Sequence, residues 1–218
     1  MLRAPIVIIA ALSLIQASAQ GEIVNVTVTG VVEFSVIQGN QTSVPDGAPV
    51  QMSFNLDSNV FTNSALHPTR GYNVILNSFS LSVGGQPIQI TNPQPGGNTA
   101  YFVLRNNDPA VDGFFLSTGS VDLPFPVGVN VPGIAQPHEL NFSATYTNPA
   151  TLPSLNILDA LGTYNLSGIS SYNWTVGTFG TNGAEYAYQT MTISVIPAPG
   201  ALALLAIGAM MPRRRRRN

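Results

Sequence analysis

The sequence contains no cysteine, and this absence excludes several kinds of site at once. Without thiols the 218-residue chain has no disulfide, no cysteine nucleophile, no iron–sulfur cluster and no cysteine zinc site. Lysine is absent as well, and charged residues of all types make up only 8% of the chain. Because charges are so few, their positions along the chain carry much of the information about partners.

Basic residues are especially scarce in the central part of the chain. Between residues 20 and 195 only Arg70 and Arg105 stand against ten acidic residues, which gives this part a net charge of −8. A surface this acidic does not neutralise phosphates, so we expect no nucleic-acid partner. The formal charge of −2 for the whole chain is therefore an average over three unlike parts.

The first 19 residues have the three-part plan of a secretory signal peptide. Arg3 is followed by an apolar run over residues 6–15 and then by Ala17-Ser18-Ala19. A positive start, a short apolar segment and small residues before the cleavage point are the features of a secretion signal. The run is shorter than the roughly 20 residues that a membrane span needs. We predict a signal peptide helix over residues 1–19, removed by signal peptidase after Ala19.

Residues 196–218 have a different three-part plan. Pro197-Ala198-Pro199 is followed by an apolar stretch over residues 200–211, and this stretch is followed by the arginines Arg213, Arg214, Arg215, Arg216 and Arg217. The prolines keep the chain extended and separate the preceding strand from the apolar segment. The apolar segment is predicted to be a hydrophobic helix that enters the bilayer, and the arginines are expected to stay on the cytoplasmic side.

This tail resembles the PEP-CTERM sorting signal of bacterial proteins associated with exopolysaccharide. The resemblance covers residues 196–218 and consists of a proline-bounded motif, a short apolar helix and a terminal basic cluster, with Ala198 where the family usually has glutamate. It implies that a membrane-embedded exosortase recognises the chain near Pro197, Ala198 and Pro199. It also implies that the helix and the arginines are then removed, and that the remaining protein is released or transferred to the cell surface.

Residues 20–195 are rich in Asn, Thr, Ser, Gly, Val and Pro, a composition that favours strands and turns. Apolar and polar residues alternate over residues 23–37 and 50–57, which predicts half-buried strands. Gly84 and Gly85 predict a hairpin between two further strands. The other predicted strands lie at residues 101–105, 113–117, 139–147, 172–179 and 186–196. Residues 155–161 are predicted to form a short helical turn.

Many short antiparallel strands with one apolar face need a second layer to cover that face. We therefore predict an all-β fold, an antiparallel β-sandwich of jelly-roll type, as one secreted domain over residues 20–195. The signal peptide helix precedes it, and the hydrophobic helix of the tail follows it.

Residues suited to catalysis are few. His67 and His138 both neighbour prolines in turn-like segments, no Gly-x-Ser-x-Gly motif introduces a nucleophilic serine, and the carboxylates are scattered. These features predict a protein without catalytic residues and without a cofactor.

One segment has the composition of a calcium loop. Residues 106–113 contain Asn106, Asn107, Asp108 and Asp112 around a turn, and Asp57 with Asn59 could add ligands from another loop. Asn, Asp and Gly are also the residues that turns require, and the loop has no complete EF-hand pattern. Calcium stays an open alternative to a purely structural turn.

Two hypotheses for function follow. The first is a non-catalytic surface or matrix protein that associates with exopolysaccharide or other envelope components. The second is a polysaccharide-binding, lectin-like module or a hydrolase, for which Tyr101, Tyr172 and Trp174 are candidate sugar-stacking aromatics. The alternation of Trp174 with Val176 would instead direct the indole ring into the core.

Overall fold

A computed structural model describes residues 21–35, 44–90, 100–108, 110–116, 127–130, 138–140, 142–169, 174–175 and 184–197. Most of these residues belong to β-strands. The strands are β1 (Ile23–Ser35), β2 (Pro49–Asn63), β3 (Thr69–Val83), β4 (Gln86–Ile90), β5 (Tyr101–Arg105), β6 (Asp112–Leu116), β7 (Val127–Asn130), β8 (His138–Leu140), β9 (Phe142–Tyr146), β10 (Gly162–Asn165), β11 (Trp174–Thr175) and β12 (Ala184–Val195).

The strands follow the predicted alternation of apolar and polar residues. In β1 the side chains of Val24, Val26 and Val28 are fully buried, whereas the residues between them are partly exposed. Successive side chains of a strand point to opposite faces, so this pattern gives each strand one core face and one outer face. The expectation of half-buried strands is confirmed for β1 and β2.

All twelve strands lie in one antiparallel sheet that curls into a half-barrel. The pairing order is β2-β1-β12-β11-β8-β7-β4-β3-β5-β6-β9; β10 also pairs with β12, and β2 pairs with β3 as well. The length of β3 allows β5 to pair with its first part and β4 with its last part along the same edge.

Irregular pairing bends the long strands. The register of β1 against β12 shifts between Thr29 and Gly30, and that of β2 against β3 shifts between Leu56 and Phe61. Such bulges bend a strand and increase its twist. Gly30 is required at the first bulge, because a Cβ there would come within 2.8 Å of the Cα of Tyr188.

The all-β, antiparallel class is therefore confirmed, and the sheet is a single curled one. The expected division into two stacked sheets is not shown among the described strands. Bent strands of 12 to 15 residues let one sheet wrap around a core that short straight strands would need two sheets to cover.

Buried residues from most strands form one core inside the curl. Its centre contains a series of phenylalanine rings, with Phe54 stacked on Phe79 at 5.4 Å, Phe54 against Phe102 at 5.5 Å and Phe102 stacked on Phe114 at 5.9 Å. Because these rings come from β2, β3, β5 and β6, the core fixes the relative positions of strands that are distant in sequence.

Two local predictions are confirmed. The β3–β4 hairpin turns at Gly84 and Gly85, whose φ angles of 59° and 80° favour glycine. The predicted helical turn is a 3-10 turn, Ile157–Ala160, and the side chain of Asn156 caps it by accepting a hydrogen bond from Leu158 N. Of the predicted strand at residues 172–179, only β11 lies within the described residues.

Candidate functional site

The described residues next to the two predicted processing regions lie at one corner of the sheet. β1 begins beside the end of β12, where Val24 pairs with Val195 and Ile196 N donates a hydrogen bond to Ile23 O at 2.8 Å. Directly paired Cα atoms of antiparallel strands are about 5 Å apart. The chain therefore enters and leaves the sheet side by side.

Most of the predicted processing residues lie outside the described residues. These are Ala17, Ala19, Ala198, Pro199, Arg213, Arg214, Arg215, Arg216 and Arg217. Pro197 is described and is exposed directly after the end of β12. The start of the proline motif therefore lies in solvent, beyond the last hydrogen bond of the sheet.

Asp112, one of the candidate calcium ligands, holds two loops together. Its carboxyl group is fully buried; Oδ1 accepts a hydrogen bond from Asn107 N at 2.9 Å, and Oδ2 accepts one from Leu152 N at 2.7 Å. Each oxygen thus has a backbone donor. The side chain secures the 106–111 turn against the segment that follows β9.

The neighbouring Asp108 faces an imidazole and a guanidinium group. Its Oδ2 lies 3.4 Å from Nδ1 of His67 and 3.6 Å from Nε of Arg105. Asp57 is used locally, since its Oδ1 accepts a hydrogen bond from Asn59 N at 2.9 Å. Across the described part of the chain, no group of three or more His, Asp and Glu side chains is placed to hold a metal ion.

The structure describes the other candidate residues only in part. The side chain of His67 is 53% exposed and lies in the turn between β2 and β3, whereas His138 starts β8. Tyr101 is half-buried in β5 opposite Asn73 of β3. Tyr172 and the side chains of Trp174 and His138 lie outside the described residues. The described residues therefore do not bring these histidines and aromatics into one site.

A feature that the sequence reading missed is a broad, uncharged polar surface on the outside of the sheet. Strand register places two rows side by side across β10, β12, β1, β2 and β3. The first row is Thr163, Thr192, Thr27, Ser53 and Ser80, and the second is Asn165, Thr190, Thr29, Gln51 and Ser82. All ten side chains are partly or fully exposed, and none is charged. We call these ten residues the polar face.

Hydrogen bonds within and beside the polar face hold its side chains in place. Thr163 and Thr192 hydroxyls are 3.2 Å apart, and those of Thr27 and Ser53 are 3.1 Å apart. The amide of Asn25, next to the first row, donates to Ser53 Oγ at 3.0 Å and to Asn55 Oδ1 at 2.8 Å. Neighbouring strands are about 4.8 Å apart, so the polar groups form a regular array.

A second feature is the apolar turn region between β2 and β3. Val60, Phe61 and Leu66 are 45%, 39% and 68% exposed. The guanidinium of Arg70 lies 4.1 Å from the centre of the Phe61 ring, and its Nε donates to Asn63 Oδ1 at 2.7 Å. We call residues 60–70 the hairpin tip.

Tyr146 in β9 and Tyr164 in β10 both donate hydrogen bonds to backbone carbonyl groups. The Tyr146 hydroxyl donates to Asn165 O at 2.9 Å, and the Tyr164 hydroxyl donates to Ala160 O at 2.8 Å. Burial, and secondarily the nearby Tyr164, raises the pKa of Tyr146 to about 12; burial also raises the pKa of Tyr164. Both phenols therefore stay protonated near neutral pH and act as structural donors.

Comparisons with protein families, with curated proteins and with solved structures found no match. Within the described ranges, no helix has the length and apolar character needed to cross a bilayer.

Proposed function

We propose that this chain is a secreted, non-catalytic protein of the bacterial cell surface or extracellular matrix, with a structural or adhesive role. Signal peptidase removes residues 1–19, and an exosortase cleaves near Pro197, Ala198 and Pro199. The apolar segment and the arginines hold the domain at the membrane until that second cleavage. Its expected environment is the exopolysaccharide outside the cell.

The observation that carries this proposal is the shared corner at which the chain enters and leaves the sheet. Val24 and Val195 are paired, and Pro197 is exposed two residues after β12 ends. A membrane segment on either side of the domain can therefore be engaged without unfolding any strand. Cleavage at both places likewise leaves every described strand and the core intact.

Mass spectrometry of the protein recovered from each cellular fraction tests the proposal. The expected protein in the extracellular or cell-surface fraction begins at Gln20 and ends near Pro197 to Pro199. A surface or matrix protein that retained residues 1–19 or the five arginines would contradict the processing scheme.

The polar face favours a second candidate function, that of a polysaccharide-binding module. Hydroxyl and amide groups can exchange hydrogen bonds with sugar hydroxyls, and they cost less to desolvate than charged groups. None of the ten acidic residues of the domain lies on the polar face, although the domain has a net charge of −8. An uncharged glycan is the ligand class that this surface suits best.

Electrophoresis through native gels containing dextran or alginate tests this candidate. Replacing Thr29, Thr163 and Thr192 together by valine removes three hydroxyls and keeps the β-branched shape, whereas replacing the same three by serine keeps the hydroxyls. Dextran should retard the original chain and the serine variant more than the valine variant. Equal retardation of the original chain and both variants would show that the hydroxyls of the polar face do not bind dextran.

We also propose that facing parts of the curled sheet act as the two layers of the predicted jelly-roll-like sandwich. The contacts of Phe114 in β6 with Tyr164 in β10, at 4.7 Å, and of Phe142 in β9 with Tyr188 in β12, at 5.5 Å, support this arrangement, because each joins two strands that are not neighbours in the sheet.

A further inference from the structure

The hairpin tip projects from the end of the sheet at which β1 begins and β12 ends. Val24, Leu56 and Val74 are paired neighbours at the level where the chain enters and leaves the sheet. From Val74, β3 continues back to Arg70 for four more residues, which is about 13 Å of extended strand. The tip therefore extends past the corner from which the predicted tail departs.

Large exposed apolar side chains collect at this end. Among the described residues they are Val60, Phe61, Leu66, Leu161 and Ile196. Leu161 immediately precedes Gly162, which pairs with Ile193 near the end of β12, and Ile196 follows β12 directly. A group of exposed apolar side chains on one end of a domain marks a surface that contacts a partner or a membrane.

Backbone N–H groups of the hairpin tip are already hydrogen-bonded, which lowers the cost of moving the tip from water into a membrane interface. Ser64 Oγ accepts hydrogen bonds from Leu66 N at 3.1 Å and from His67 N at 3.0 Å, and Ser64 N donates to Thr69 O at 3.0 Å. Backbone donors that are already paired do not have to be stripped of water when a segment enters an apolar medium. Leu66, the most exposed of the apolar side chains, is thus presented on an internally satisfied turn.

The small number of residues between β12 and the predicted membrane segment limits how far the domain can lie from a bilayer. Only Pro197, Ala198, Pro199 and Gly200 separate Ile196 from Ala201, the first alanine of the apolar stretch. A proline-rich chain that is fully extended rises about 3.1 Å per residue, so these five steps can span no more than about 16 Å. If residues 201–211 lie in a bilayer, the tip reaches its surface.

We propose that the hairpin tip docks on the surface of a phospholipid bilayer while the tail is still attached. This inference rests on the proposed function, which supplies the membrane anchor. Val60, Phe61 and Leu66 enter the interface, and Arg70, held over the Phe61 ring, stays at the headgroups. Acidic Glu22, Asp57, Asp108 and Asp159 lie at the same end, so apolar burial and not charge drives docking.

The absence of cysteine makes a direct test possible with single labels. The full chain, carrying a nitroxide on Ala65→Cys, is reconstituted in phosphatidylcholine vesicles, and collisions with oxygen and with a water-soluble nickel chelate are compared by electron paramagnetic resonance. Asp46→Cys, in the turn at the opposite end of β1, is the matched solvent control, and Ala206→Cys reports insertion of the tail.

Docking predicts that reconstitution makes the Ala65 label accessible to oxygen and protects it from nickel, while the Asp46 label keeps its accessibility. Adding Leu66→Ser should weaken partitioning of the tip by about tenfold and return the Ala65 label to water. Leu66 is 68% exposed, so this change does not threaten the core.

Four results would overturn the inference. If the Ala206 label is in the bilayer and the Ala65 label remains in water, docking is wrong and the anchored form of the proposed function stands. If the Ala206 label is itself in water, the membrane anchor fails and docking fails with it. If protection of the Ala65 label requires phosphatidylglycerol in the vesicles, charge and not apolar burial drives docking. If the label is already protected before reconstitution, and this protection grows with protein concentration, a second copy of the chain covers the tip instead.

Discussion

Replacing Asp112 should distinguish two hypotheses for residues 106–112: a turn held by hydrogen bonds to Asp112, and a calcium-binding loop. The carboxyl group is fully buried and accepts one backbone N–H on each oxygen, from Asn107 and from Leu152. Hydrogen bonds to a charged group contribute about 1.5–3 kcal/mol each, and a buried donor left without a partner adds its own desolvation cost. Asp112→Ala removes both hydrogen bonds and leaves two backbone donors without partners, so we expect the free energy of unfolding to fall by about 3–6 kcal/mol.

Asp112→Asn is the sharper variant because it keeps the shape of the side chain. Its amide has one acceptor oxygen and turns an NH₂ group toward the second backbone donor, which predicts a loss of about 2–3 kcal/mol. Asp108→Asn is the matched control in the same loop. Its contacts with the exposed His67 imidazole and with Arg105 are partly solvated, so Asp108→Asn should cost less than about 1 kcal/mol.

Urea unfolding measures both variants, with the midpoint and the slope fitted separately. A change in midpoint at constant slope gives the stability difference directly. Equal and small effects of Asp112→Asn and Asp108→Asn would refute the argument. Calcium should leave the unfolding midpoint of the original chain unchanged, since the oxygens of Asp112 already have backbone donors; a rise with calcium concentration would show binding to the folded state.

Three further perturbations test other parts of the fold. Among the residues that the structure describes, the fully buried hydroxyl of Tyr186 has no hydrogen-bond partner. Tyr186→Phe should therefore raise the free energy of unfolding by about 1 kcal/mol, and a loss in urea unfolding would mean that the hydroxyl is in fact bonded. Gly30→Ala puts a Cβ within 2.8 Å of Tyr188 Cα, so we expect the free energy of unfolding to fall by about 2–4 kcal/mol in the same assay. Gly85→Ala is the control: its φ of 80° disfavours alanine, but a Cβ there would meet nothing within 4 Å, so it should cost less than Gly30→Ala. The pKa of Tyr146 is raised to about 12 in the folded chain, above the ordinary value of 10.0, so the unfolded chain loses this proton first. The contribution of Tyr146 to stability should therefore be constant below about pH 10 and be lost between pH 10 and about 12. In unfolding curves recorded across this range, Tyr146→Phe should make the fall in stability smaller, and an unchanged fall would contradict the shift.

The sequence was most informative where a strand has one buried and one exposed face. In β1 the alternation of valine with threonine and asparagine predicted the strand and its core face correctly. The first part of β3 was missed because Arg70-Gly71-Tyr72-Asn73 has no simple alternation. What fixes that part is tertiary: the Tyr72 hydroxyl donates to Leu155 O at 2.8 Å and accepts from Ile157 N at 2.9 Å. A contact across more than 80 residues leaves no local pattern.

Short motifs in the sequence indicate the polar face. Thr27-Val28-Thr29 and Thr190-Met191-Thr192 each place two hydroxyls on one side of a strand. Whether two such strands are neighbours depends on sheet order, and β1 and β12 lie far apart in sequence. The pairing of Thr27 with Thr192 turns two short motifs into one surface. For residues 106–113 the sequence left calcium binding and a structural turn as alternatives, because composition alone does not show which donors already occupy a carboxyl group.

The polar face and the hairpin tip have different orientations, and this separates their roles in the proposed function. The tip lies at the end of the strands from which the tail departs, whereas the polar face runs along their outer side. A domain anchored by the tail would therefore stand with its strands directed away from the bilayer and its polar face open to the surrounding matrix. A few apolar side chains bind a membrane only weakly and reversibly, and stable attachment needs a second anchor. Removal of the residues beyond the proline motif would take that second anchor away. The tip alone would then be too weak to hold the domain at the bilayer, and the domain would leave the membrane with its polar face still open to the matrix.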